Sequence, residues 1–209
     1  MAPSPQLPSA RTPSVPAALP PPEPANGSER FVGLDATVLD FWRFGMSDLR
    51  TNTLRGYLAE FLVARAVGAD RSRVEWDPFD VLTPQGIRIE VKSTGFVQAW
   101  TQVKQRESRS WTIPRAVPYD TITGKPCGPR DFQADVYVFA VHTARSHDEY
   151  NALDLSQWTF YVLSLSQITS LPRNKNDAAC ATLLRVQTRT RAVSYAELAA
   201  TVLDTAAAV

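Results

Sequence analysis

Six consecutive residues, Ile87-Arg88-Ile89-Glu90-Val91-Lys92, alternate strictly between apolar and charged. A helix would scatter these charges around its axis. A β-strand, with its two-residue period, sends Ile87, Ile89 and Val91 to one face and collects Arg88, Glu90 and Lys92 on the other. The alternation predicts a strand over 87–94, preceded by strands over 79–83 and 73–76. Between 83 and 87, Pro84-Gln85-Gly86 reads as a three-residue hairpin loop with Gly86 in the left-handed position. Pairing Thr83 with Ile87 then sets Asp80 directly across from Glu90, two carboxylates about 5 Å apart at Cβ on one sheet face.

Like charges opposed in this way destabilise a sheet unless something positive lies between them. Mg²⁺ suits the position, since it takes hard oxygen ligands and needs only one or two protein carboxylates beside water and phosphate oxygens. Lys92 follows Glu90 by two residues on the same face, about 7 Å along the strand, within reach of a metal-bound water or a phosphate. The plainer reading is a surface hairpin in which Lys92 simply neutralises Asp80 and Glu90.

The rest of the chain has the material for a body around this hairpin. Residues 36–44 form a short aromatic helix, and Thr51 or Asn52 caps a second running to about Val67, with Gly68 just past its end. Leu54, Tyr57, Leu58, Phe61 and Leu62 make its broad apolar face. Glu60 projects about 240° from Leu54, among Val67, Ala64 and Tyr57, where a carboxylate needs a partner or a metal; Arg55 and Arg65 are the partners near at hand. Strongly apolar strands over 134–141 and 159–165 read as interior, and Ser194 with Glu197 forms the capping box of a final helix bearing Leu198, Val202 and Leu203. Nine of the 16 prolines crowd into the first 30 residues. This composition predicts a flexible leader over 1–30 and one folded domain over 31–209, with a docking tail for a proline-binding groove as the other use of such a leader. The fold class is α/β, a mixed central β-sheet flanked by helices.

Glu60 on a helix, Asp80 at a hairpin, and Glu90-Val91-Lys92 on its second arm together resemble the PD-(D/E)xK, or restriction-endonuclease-like, nuclease superfamily. The strings Arg55-Gly56-Tyr57-Leu58-Ala59-Glu60, Trp76-Asp77-Pro78-Phe79-Asp80-Val81 and Ile89-Glu90-Val91-Lys92-Ser93 are similar to uncharacterised bacterial members. The motif stretch covers about 53–98. Pro78 stands two residues before Asp80 rather than beside it, which leaves Asp77 as a competing acid, although strand parity favours Asp80. The resemblance implies a restriction-endonuclease-like fold and a Mg²⁺-dependent phosphodiesterase, with Mn²⁺ as an alternative ion. Asp80, Glu90 and the Val91 carbonyl would hold the metal, Glu60 would reach it directly or through water, and Lys92 would orient or deprotonate the attacking water. Gln98 resembles an extra glutamine that some members place beside the metal and nucleophile; a polar residue merely facing solvent is the other reading.

Two stretches with a local charge of +4, over 104–130 and 173–191, are where a polyanion would lie. Arg109, Arg115, Arg130, Arg185 and Arg189 are the candidate phosphate contacts, and solvated loops are the competing account. DNA is expected in preference to RNA, with a homodimer as one open outcome. Trp100, Trp111 and Trp158 are candidates for stacking on bases or for the core. His142 and His147 lack zinc-motif partners, and neither a P-loop nor a Gly-x-Ser-x-Gly elbow occurs. Two distant cysteines, Cys127 and Cys180, and no 18-residue apolar run point to a cytoplasmic protein outside any membrane. A non-catalytic nucleic-acid- or protein-binding module of the same fold is the second hypothesis.

Overall fold

A computed structural model of the chain describes residues 23–70, 72–74, 77–102, 108–120 and 123–208. In chain order the elements are α1 (Val38–Met46), α2 (Asn52–Ala66), β1 (Val81–Leu82), β2 (Arg88–Gly95), β3 (Ser110–Ile113), β4 (Tyr119–Asp120), β5 (Lys125–Pro126), β6 (Val136–His142), β7 (Trp158–Ser164), α3 (Leu165–Thr169), β8 (Ala179–Thr182), α4 (Leu183–Gln187) and α5 (Tyr195–Ala207). The central sheet runs β1-β2-β6-β7 and is mixed: β2 and β6 are parallel, and the two outer pairings are antiparallel. A small sheet of β3 with β8 covers one face, and α2 and α5 cover the other.

Two apolar layers follow from the period-two pattern of the strands. Ile89, Val91, Val136, Val138 and Ala140 pack beneath α2 and α5 against Ala59, Val63, Leu198 and Val202. On the opposite face Tyr137, Phe139 and Leu163 pack with Trp111, Ile113, Ala179 and Ala181 of the small sheet. Every residue of β6 is buried, as its unbroken apolar sequence requires. The hairpin has the expected register: Val81 pairs with Ile89 and Leu82 with Arg88, Thr83 N–H donates to Ile87 O, and Gly86 turns the loop at φ 84°.

Several expectations need correction. Among the described residues β7 is an outer strand of the sheet, not an interior one; its far side is covered by a two-way backbone bridge between Phe160 and Val193. The predicted strand over 73–76 is irregular at Arg73 and Val74, because Arg73 turns to α2 instead of to a strand partner; residues 75 and 76 lie outside the described residues. The buried stripe of α2 is Arg55, Ala59, Leu62 and Val63, while Tyr57 and Phe61 are exposed at 42% and 57%. Small Ala59 lets the helix approach β2 closely, which rotates the larger aromatics away. Leu203 on α5 is likewise partly exposed, unlike Leu198 and Val202. The folded part also reaches back before residue 31: Gly27 O and Glu29 O accept from Leu39 and Val38 at the start of α1. The leader's residues 1–22 lie outside the described residues.

Candidate active site

The hairpin delivers Asp80 to the edge of β2. Asp80 N–H donates to Ile89 O, and its Oδ2 accepts from Val91 N–H at 2.7 Å. In a strand the N–H and C=O of one residue leave the backbone on the same side, so the Val91 carbonyl also faces the side on which Asp80 lies. Glu90 is tied to Lys92 by an ion pair on the sheet face they share. Glu60, part way along α2, pairs with Arg73 at 2.8 Å rather than with Arg55 or Arg65, and Arg73 in turn stacks over Tyr57. Helical spacing does not announce this partner, which comes from the irregular segment after the helix. Tyr57, Glu60, Arg73, Asp77, Phe79 and Asp80 line a depression of about 470 Å³.

The three acids feel one another. Burial above all, then the Glu90 carboxylate, pushes Asp80 from an ordinary value of 3.8 up to about 7, against the pull of the Val91 N–H; Glu60 adds to the rise. Glu60 is also raised, by burial, with Arg73 opposing. Among the described residues no three His, Cys, Asp or Glu side chains converge as a metal cluster; Glu60 is paired with Arg73 and Glu90 with Lys92. Two crowded carboxylates and a backbone carbonyl nevertheless make an all-oxygen set of the kind a Mg²⁺ ion accepts, and a cation there would relieve the repulsion that raises Asp80.

Beyond β1 the edge of β2 has no partner strand among the described residues, and side chains occupy it. Val91 N–H goes to Asp80, Ser93 O accepts from the Trp111 indole at 3.1 Å, and Gly95 O accepts from Gln98 Nε2 at 2.9 Å. Gln98 therefore sits at the far end of this edge and lines a separate cleft of about 700 Å³, with Asn52, Arg55, Trp100, Gln102 and Arg109. It is not grouped with Asp80 around the first depression.

The family model of bacteriophage T4 endonuclease IV matches residues 43–175, well over half of the chain. The chain belongs to the bacteriophage T4 endonuclease IV family. No curated protein matches it. The matched region of this endonuclease IV family member takes in α2, the hairpin, both depressions, all four strands of the central sheet and α3, and ends at Lys175.

The basic residues of this family member are placed unevenly. Arg109 is only 8% exposed, donates to Phe96 O and lies over the Phe96 ring, so it forms part of the wall of the cleft. Arg115 bridges Asp131 and Asp177 over the Phe132 ring. Arg130 is exposed and donates to Arg115 O. Arg185 and Arg189 are half-buried and bond to the carbonyls of Cys180 and Arg185. Lys104 and Arg106 lie outside the described residues. Of the tryptophans, Trp111 and Trp158 belong to the core and Trp100 is exposed. Arg55 lines the second cleft and is buried, and its recurrence with Ala59, Leu62 and Val63 on one helical face is the sequence signal for that burial.

Proposed function

We propose that this chain is a Mg²⁺-dependent nuclease that hydrolyses phosphodiester bonds of DNA, on a restriction-endonuclease-like fold of the PD-(D/E)xK type. One observation carries the reading: the hairpin sets the buried Asp80 carboxylate on the Val91 N–H at the edge of β2, near enough to the Lys92-paired Glu90 carboxylate to be raised by it. Membership in a family named for an endonuclease supports it, as does the mixed sheet flanked by helices.

Asp80, Glu90 and the Val91 carbonyl would hold the ion, and Glu60 would join them on release from Arg73. Such an ion supplies Lewis acidity, lowering the pKa of a bound water and stabilising charge that grows on the phosphate. Lys92, held beside Glu90, orients the attacking water and offsets negative charge at the phosphate. The Val91 N–H fixes the Asp80 carboxylate in place. Mn²⁺ is expected to replace Mg²⁺, DNA to be preferred to RNA, and the protein to act in the cytoplasm.

Incubation of the purified protein with plasmid, linear and single-stranded DNA and with RNA, in Mg²⁺, Mn²⁺ or EDTA, tests this. Cleavage of DNA that EDTA abolishes is the expected result. Binding without cleavage under every metal condition would instead identify a non-catalytic nucleic-acid module.

A further inference from the structure

The cleft beyond Lys92 belongs to neither the metal set nor the core. It lies at the carboxyl end of β2, where the parallel pair β2 and β6 stops, a position that open α/β sheets commonly use for ligands. The 15-residue helix α2 begins on its wall with Asn52 and Arg55, bringing the positive end of the helix dipole to the same place. Arg55 is 2% exposed. Its guanidinium donates to Arg50 O, Val97 O and the Asn52 side chain, and its Nε has no hydrogen-bond partner among the described residues. A buried donor left without an acceptor is costly, and a charged one more so.

Gly95 makes this placement feasible. A Cβ there would stand 3.3 Å from Arg55 Nη1, so the bare backbone of β2 is what lets the guanidinium lie against it. Arg109 is the second buried guanidinium on the wall, close enough that its charge, with burial, lowers the pKa of Arg55. Trp100 stands at the cleft 56% exposed. Two concentrated cations beside an exposed aromatic ring suit a ligand with a phosphate at one end and a planar base at the other. The volume, about 700 Å³, accommodates one such unit.

We propose that this cleft is a nucleotide subsite: Arg55 and Arg109 seat a phosphate of the polymer, and the attached base lies on Trp100, along the β2 edge from the phosphodiester presented to Asp80, Glu90 and Lys92. The inference rests on the nuclease reading for its substrate, but the binding it describes needs no metal. Val91 and Gly95, at the two ends of the edge, are four residues apart, about 13 Å of strand, so the two sites engage neighbouring parts of one chain.

Calorimetric titration of the full-length protein in EDTA tests the cleft independently of cleavage. The probes are a deoxynucleoside 5′-monophosphate, its nucleoside, inorganic phosphate and a trinucleotide. The nucleotide is expected to bind at least ~5-fold more weakly to Trp100→Ala than to wild type, the scale of one base stacked on an aromatic ring. Arg55→Lys should weaken it similarly; should that buried substitution unfold the protein, Trp100→Ala at its exposed position still decides the matter. The trinucleotide is expected to bind at least ~10-fold more tightly than the mononucleotide. Inorganic phosphate matching the mononucleotide would remove the base from the assignment. A mononucleotide matching the trinucleotide would remove the polymer. Nucleotide binding untouched by both substitutions, or absent from wild type, overturns the subsite outright. Failure of the nuclease reading looks different: nucleotide binding sensitive to Trp100 with no cleavage in any metal.

Discussion

Two aspartates flank the same strand and meet opposite treatment. Asp135, before β6, receives Arg88 in full: the Arg88 backbone N–H and Nε both reach Oδ2, and Nη2 reaches Oδ1 at 2.5 Å. The Arg88 hydrogen bonds hold its carboxyl below the usual carboxylate range. Asp80, two residues from Arg88's partner Leu82, is buried against Glu90 and pushed up to about 7. One acid closes a seam between β2 and β6, and the other is left short of positive charge. Perturbed carboxylates of this kind cluster at functional sites, and structural ion-pair networks produce them too.

Substitutions can break this contrast. In Mg²⁺, Asp80→Asn, Glu90→Gln and Lys92→Ala should each lower DNA cleavage by roughly 10³-fold or more while circular dichroism stays native. Wild-type turnover in Asp80→Asn would transfer the role to Asp77. The same substitution should act oppositely on stability. An acid whose pKa is raised on folding binds more protons in the native state, so metal-free wild type loses stability as pH rises from about 4 to about 7. At pH 8 in EDTA, Asp80→Asn should therefore be more stable, on the order of 2 kcal/mol, with the gain vanishing near pH 4. Added Mg²⁺ should raise the melting temperature of wild type and not of the variant.

Asp135→Ala sharpens the other half. Its stabilisation is present above the unfolded value of 3.8 and lost as pH falls through the lowered folded value, the reverse slope to Asp80. Urea unfolding at neutral pH should show a loss of about 1 kcal/mol, smaller at high salt because the pair is partly exposed, with turnover unchanged. The smallest effect belongs to Glu197, whose carboxylate accepts the Ser194 backbone and hydroxyl groups at the start of α5 and pairs with Arg191. These bonds lower it to about 2. Glu197→Ala should slightly lower the thermal midpoint at neutral pH, and the difference should disappear as pH falls from 4.5 towards 2.

The hairpin was legible because local chemistry determines it. A three-residue loop ending in Gly86 fixes the register, and strict alternation fixes the faces, so the pairing of Val81 with Ile89 and of Leu82 with Arg88 follows by counting. The capping residues Thr51, Ser194 and Glu197 were legible for the same reason. What escaped depends on distant partners. Arg73 reaches Glu60 across the end of α2. Ser110–Ile113 pairs with Ala179–Thr182, nearly 70 residues later, and the first of these strands has too few apolar residues to announce itself. The rotation of α2 that exposes Tyr57 and Phe61 follows from the tight seat of Ala59 and Arg55 on β2, which helical periodicity alone does not reveal.

An unpaired strand edge is a template on which another chain can add, the usual route to sheet-mediated aggregation. On β2, between Val91 and Gly95, three side chains from three separate segments narrow that route: Asp80 takes Val91 N–H, Trp111 takes Ser93 O and Gln98 takes Gly95 O. The edge thus presents fewer open groups to other copies of the protein. Replacing Trp111 or Gln98 would cost this chain some of its colloidal safety as well as its geometry.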